Sequence, residues 1–195
     1  MMRWLLIALI AFGAWDWWSS RGIEHAPGIL VAEVPEQHAA PANPPQFQKK
    51  GYALTALASF ALQARVLSAE RYYFDRESDL APVDLALGWG PMSDSSVLSK
   101  ISISQGGRFY YWHVSEFPIP RRDIEINSAN MHLIPATSEV EGQIKRARVG
   151  DIVHLSGYLV EVRADDGWRW VSSLTREDTG AGACEVVWVE QFDLH

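Results

Sequence analysis

DIVHLSGYLVEV, residues 151–162, has the clearest strand pattern in this chain. Its apolar residues alternate with others, which is the period of a strand with one buried face, and Gly157 is a place where such a strand bends. Asp166-Gly167 predicts a tight turn, after which WRWVSSL (168–174) runs back and CEVVWVEQF (184–192) closes the sheet. We therefore expect an antiparallel sheet, or a small barrel of the OB or SH3-like type by analogy, at the C-terminal end.

The preceding part predicts an α+β domain rich in strands. Residues 52–74 fit a strand or a helix, and their alternation favours a strand from Phe60. Gly106-Gly107, between two β-rich runs, indicates a hairpin. Asp94 is expected to cap a short helix, and residues 140–148 to form another that ends before Gly150.

Composition limits the classes of partner and of covalent chemistry. The net charge is −7, which argues against nucleic acid because phosphate binding needs clustered Lys and Arg. The single cysteine, Cys184, allows neither an intrachain disulfide nor a cysteine cluster for zinc. No cofactor is expected from the motifs present.

The N-terminal segment predicts where the protein lies. Residues 4–15 are an unbroken apolar run after Arg3, and tryptophans follow it where a signal-peptide cleavage site would need small residues. We expect an uncleaved anchor over 1–20 that contacts the bilayer through 4–18, with a cleaved signal peptide as the alternative. A Pro- and Ala-rich tether (21–50) and a globular domain (51–195) would follow, with the domain in a bacterial periplasm.

Four segments resemble a family of uncharacterised, N-terminally membrane-anchored bacterial proteins. They are GWGPMSD (88–94), ISQGGRFYYW (103–112), SANMHLIPA (128–136) and the run from Ser156 to Glu185. The resemblance covers most of residues 52–190. It implies a membrane-anchored, envelope-facing protein and brings no activity, substrate or catalytic residue with it.

Two side chains are candidates for catalysis. His132 and Cys184 could form a nucleophile and its base, since such pairs are close in space without being close in sequence. A cysteine that opens an apolar strand is more often a small buried hydrophobe. His132 would then be a structural histidine that Asn130 helps to orient.

The remaining candidates concern metal and ligand binding. His113, His132 and His154 come from three predicted strands and could form an open metal site, although no ligand spacing supports it. Trp89 lies between two glycines, and its ring could either bind a ligand or protein from an exposed loop or fill the hydrophobic core. Trp112 could also line a binding surface. The binding candidates are Trp89, Asp94, Trp112, Asn130 and His132.

Two functions remain open from the sequence. The favoured one is a non-catalytic module of an envelope complex, which binds a protein partner at the membrane. The alternative is a periplasmic hydrolase or metal-dependent enzyme that uses His132 with Cys184 or His154.

Overall fold

A computed structural model describes residues 21–175 and 184–195 as a β-rich protein with a large mixed sheet and few helices. The strands are β1 (Glu36–Ala39), β2 (Gln46–Lys49), β3 (Tyr52–Arg71), β4 (Val83–Gly88), β5 (Ser102–Gly106), β6 (Phe109–His113), β7 (Ser128–Pro135), β8 (Ile152–Arg163), β9 (Arg169–Val171) and β10 (Glu185–Leu194). The helices are α1 (Ser95–Leu98), α2 (Arg121–Ile126) and α3 (Ser138–Ile144), with short 3-10 helices at Glu77–Asp79 and Gly90–Ser93.

The long strand β3 closes the main sheet into a ring. Its first part pairs with β8 and its last part with β4, and the neighbours continue in the order β4, β7, β10 and β8. The three C-terminal strands pair antiparallel, β8 with both β9 and β10, whereas β10 also runs parallel to β7, so the sheet as a whole is mixed. The chain between β7 and β10 contains α3, β8 and β9, which makes it long enough for the crossover that a parallel pair needs.

Apolar residues fill the inside of this ring and also cover part of its outside. The inner cluster includes alternate residues of β3, β4 and β7, among them Phe60, Leu85 and Leu133. A second cluster gathers Ile134 and Trp188 with aromatic side chains of β2, β8 and β9, and a third forms under the β5–β6 hairpin. Because side chains alternate along a strand, residues 130, 132 and 134 of β7 face outward.

Several local predictions are confirmed. Residues 52–71 form a strand, β8 covers the predicted run, and β5 and β6 pair as a hairpin. Gly157 is required where predicted, because a Cβ there would lie 1.9 Å from the Trp188 carbonyl oxygen. The helix expected over 140–148 is shorter and earlier, since Thr137 accepts a hydrogen bond from the Val140 amide and fixes its start.

Part of the segment predicted as a tether belongs to the sheet. Strands β1 and β2 lie within residues 21–50, and both pair with β3. The predicted anchor over 1–20 lies outside the described residues. Among the residues that are described, no helix combines the length and the apolar character that crossing a bilayer requires.

Candidate active site

Three adjacent strands bring an acid, an imidazole and a thiol together on the outer face of the ring. Asp84 of β4 is the direct cross-strand partner of His132 in β7. On the other side of β7, Val186 of β10 is opposite His132, and Cys184 lies just before that strand. Because strand partners project to the same face, the sheet itself places these side chains side by side.

Asp84 and His132 form a buried pair. The Asp84 Oδ2 atom lies 2.9 Å from His132 Nδ1, and their side chains are 0% and 4% exposed. Neither atom has a hydrogen bond of good geometry to any described residue, so their contact is an ion pair that depends on proximity and charge. The carboxylate thus favours a proton on Nδ1 and leaves Nε2 as the ring nitrogen available for chemistry.

Cys184 is the second neighbour of the imidazole. Its thiol is half-buried and close enough to raise the pKa of His132, and its Sγ atom donates to the Arg108 carbonyl oxygen at 4.0 Å, whereas the histidine is almost fully enclosed. Burial lowers the pKa of His132, but the bonds to Asp84 and Cys184 outweigh it and raise that pKa to about 9. His132 is therefore an imidazolium at neutral pH, next to the only thiol of the chain.

Two amides complete the polar surroundings of the sulfur. Asn130 Nδ2 lies 3.8 Å from Cys184 Sγ and donates to the Arg108 carbonyl oxygen at 3.2 Å. Gln105 Nε2 in turn donates to Asn130 Oδ1 at 2.6 Å, which fixes the orientation of the Asn130 amide. A donor is thus aimed at the position where a thiolate would carry charge.

Asp84 is held on its other side by an arginine. Its Oδ1 atom accepts from Arg108 Nη1 at 2.8 Å, so the buried carboxylate has a cation at each oxygen. Formal charges of Asp75, Asp84, Arg108 and protonated His132 cancel, and this balance is what a buried polar cluster requires.

Two tryptophan rings border one side of the His132 imidazole. The rings of His132 and Trp170 are 4.8 Å apart, and Trp168 follows at 6.1 Å from Trp170. Both tryptophans are partly exposed and lie on or next to β9. They give the site an apolar border of the kind that seats an uncharged part of a ligand.

The other predicted binding residues have structural contacts. Trp89 is 1% exposed and belongs to the inner cluster, so its ring packs in the core and does not line a binding surface. Asp94 caps α1 by accepting from the Ser96 amide. Trp112 packs edge-on against Phe117 under Arg121. Asn130 and His132 alone of this set belong to the site described above.

The three histidines predicted as metal ligands are not assembled. The ring of His154 contacts His195 at 4.7 Å, His113 is exposed at the end of β6, and His132 faces Asp84 and Cys184. In residues 21–175 and 184–195, no group of three His, Cys, Asp or Glu side chains could hold a metal ion.

The sequence interpretation paired His132 with Cys184 and missed Asp84, Gln105 and Arg108. Asp84 had a signal, because it is the one charged residue within the apolar run VDLAL of β4. Gln105 and Arg108 lie in the hairpin, where polar residues are usual and carry no such signal.

Comparison with known proteins adds no relative. The chain matches no protein-family model, and no curated protein or solved structure matches it significantly. The resemblance to N-terminally anchored bacterial proteins therefore stays a prediction.

Proposed function

We propose that the protein is a thiol-dependent enzyme of the acyl-transfer class, most simply a hydrolase, with Cys184 as nucleophile and His132 as acid and base. The observation behind the proposal is the arrangement of Asp84, His132 and Cys184 in that order. Nucleophile, base and an orienting third group are the parts that covalent catalysis needs.

Each residue has a defined role in the proposed reaction. The Cys184 thiolate attacks an acyl carbon and forms a C–S bond, while the bond to the leaving group breaks and the leaving group takes the proton of the His132 imidazolium. Water then attacks the thioester, His132 takes one proton of that water, and the C–S bond breaks, which releases the acid and restores the thiolate and the imidazolium. Asp84 keeps the imidazole oriented and stabilises its charge throughout.

Alkylation of Cys184 by iodoacetamide tests the nucleophile without knowledge of the substrate. A free thiol has a pKa near about 8.5, so its rate rises about tenfold per pH unit below that value. Because His132 stays charged up to about pH 9, we expect fast alkylation already at neutral pH. His132→Gln should lower the rate at about pH 7 by about tenfold or more.

His154→Gln is the matched control, because His154 is also a strand histidine but contacts His195 instead of the thiol. Its alkylation rate should equal that of the wild type. A wild-type rate with the pH profile of a free thiol, unchanged in His132→Gln, would refute the proposed nucleophile. Incubation with p-nitrophenyl acetate adds a direct readout, an acetyl adduct on Cys184 by intact mass.

A second candidate is the envelope interaction module expected from the sequence. Phe109 and Tyr111 are 40% and 54% exposed on β6, and this exposed pair of rings favours a protein contact. We propose a periplasm-facing location on the basis of the apolar N-terminal run. Native mass spectrometry of the full chain from its own membrane tests both points.

In that experiment, a partner should be lost when Phe109 and Tyr111 are both changed to Ser. It should be retained in Val34→Ser, which removes an exposed apolar side chain elsewhere. A bare protein in all three samples would speak against the interaction module. The same spectrum reports whether residues 1–20 are still attached.

A further inference from the structure

The β5–β6 hairpin ends in an arginine with an unfavourable backbone conformation. Gly107 and Arg108 connect the two strands, and their φ angles are +57° and +70°. Positive φ at both central residues defines the tight hairpin turn that follows the twist of the strands. Glycine accepts this conformation freely, whereas for arginine it is unfavourable and needs support from the surroundings.

The Arg108 side chain supplies that support through contacts to three acceptors. It is 13% exposed and forms a two-pronged bond to Asp75, with Nη2 to Oδ1 at 2.6 Å and Nε to Oδ2 at 2.9 Å. Its Nη1 atom donates both to Asp84 Oδ1 and to the Ala81 carbonyl oxygen. The guanidinium also lies over the Tyr72 ring, 3.8 Å from its centre.

The backbone of Arg108 takes part in the same arrangement. Its amide donates to the Tyr72 hydroxyl at 3.1 Å, and its carbonyl oxygen accepts from Asn130 Nδ2. One residue therefore contacts both Asp84, which bonds the imidazole, and Asn130, which faces the sulfur. The hairpin is joined to the site by these contacts while its strands form a separate two-stranded sheet.

We propose that Arg108 is a positioning residue of this site: it holds Asp84, and through Asp84 the imidazole of His132, in the orientation that faces Cys184. The inference rests on the proposed function. With Oδ1 committed to Arg108, only Oδ2 of Asp84 is left for His132 Nδ1, which fixes the carboxylate plane. The titratable and charged groups around this arrangement are Glu70, Tyr72, Asp75, Asp84, Arg108, His132 and Cys184.

Arg108→Lys changes the arrangement of hydrogen-bond donors at this position and keeps the positive charge. Lysine keeps the positive charge but has its three donors on one nitrogen, so it cannot reproduce the two-pronged bond to Asp75 together with the bonds to Asp84 and the Ala81 carbonyl. We expect the alkylation rate of Cys184 at neutral pH to fall about fivefold or more. The titration midpoint of His132, followed by NMR, should fall below its wild-type value, because the bond to Asp84 weakens.

Arg121→Lys is the matched control. Arg121 also bonds a carboxylate, Glu125, and also lies near an aromatic ring, but its side chain is 69% exposed on helix α2. Rate and His132 midpoint should both stay at the wild-type values. An Arg108→Lys protein that matches the wild type in both readouts would overturn the inference and leave Arg108 as a structural clamp.

Two further comparisons keep the outcomes distinct. If Arg108→Lys does not fold, Asp75→Asn replaces it, because Asp75 is 35% exposed and forms the two-pronged bond that holds the guanidinium. An unchanged rate and midpoint in that variant would equally overturn the inference. If His132→Gln does not slow alkylation, the proposed function fails, and the His132 midpoint in Arg108→Lys still decides the positioning role.

Discussion

Residues 88–94 and residues 128–135 are similar as sequences, since both mix small polar residues with one large ring and a proline. In residues 88–94 the polar side chains accept hydrogen bonds from backbone amides. The Ser93 hydroxyl accepts from the amides of Leu30 and Val31, and Asp94 accepts from the amides of Gly28 and Ser96. Trp89 lies in the core. These contacts fasten the segment 28–31 to the domain.

In the second region Asn130 and His132 contact other side chains, while the Ser128 hydroxyl donates to the Ile124 carbonyl oxygen. His132 bonds Asp84, its ring meets the thiol of Cys184, and Asn130 points a donor at the same sulfur. A titratable group is therefore buried with an acid on one side and a thiol on the other. Residue types alone therefore do not mark a site, whereas the groups that each side chain contacts do.

Trp89→Ala should have the largest effect on stability and none specific to the thiol. The ring is 1% exposed within the inner cluster, so its removal leaves a cavity and should cost about 3–5 kcal/mol of unfolding free energy. Urea denaturation of wild type and variant measures the loss. Trp112→Ala, at a half-buried position, should cost less, and equal losses would contradict the assignment of Trp89 to the core.

The stability of the protein should depend on pH through His132. Its pKa is about 9 in the folded chain against 6.5 for an ordinary histidine, so the folded state binds the proton more tightly. The resulting stabilisation is fully present below about pH 6.5 and is lost as the pH rises through about 9, on the order of 3 kcal/mol at most.

Urea denaturation across that pH range, in wild type and His132→Gln, measures this contribution. The difference between the two should shrink as the pH rises, whereas His154→Gln should keep the wild-type slope. Parallel curves for wild type and His132→Gln would show that the bond to Asp84 does not stabilise the imidazolium. His132 stabilises the fold in its charged form. A loss of thermal stability in a His132 variant therefore does not show whether the histidine is catalytic or structural.

Ser93→Ala should affect stability and leave the thiol unchanged. Ser93 is fully buried, and alanine removes the acceptor of two backbone amides, which should cost about 1–3 kcal/mol. The alkylation rate of folded Ser93→Ala should equal that of the wild type. A slower rate would mean that residues 88–94 and the site around His132 are coupled.

Local features of this fold could be predicted from the sequence, and long-range ones could not. The alternation in β8, the glycines of the hairpin and the Asp94 cap depend on neighbouring residues, and all three are confirmed. The closure of the ring by β3 and β8 and the parallel pairing of β7 with β10 depend on contacts between distant segments. The spacing of apolar residues predicts strands but does not predict which distant strands pair.

The same distinction applies to the candidate site. His132 and Cys184 were recognisable as residue types, but their juxtaposition follows from the register that sets Val186 opposite His132. Asp84 enters the site because β4 pairs with β7 on the other side. The sequence therefore indicated which side chains have chemistry, and the sheet order determined which of them meet.

Asp84→Asn tests the link between the acid and the thiol most directly. Asparagine has one acceptor oxygen where Asp84 uses two, so either Arg108 or His132 loses its partner. Without the carboxylate, the pKa of His132 should fall from about 9, and the imidazole would be neutral at neutral pH. We expect the alkylation rate of Cys184 at about pH 7 to fall by about tenfold.

Asp94→Asn is the matched control, because Asp94 is also a hydrogen-bonded aspartate but caps α1 outside the site. It should alkylate at the wild-type rate. If Asp84→Asn also reacts at the wild-type rate while His132→Gln is slow, the imidazole acts on Cys184 without help from the carboxylate. The site would then be a Cys–His pair, and Asp84 would belong with Ser93 and Asp94 among the residues that only hold the fold together.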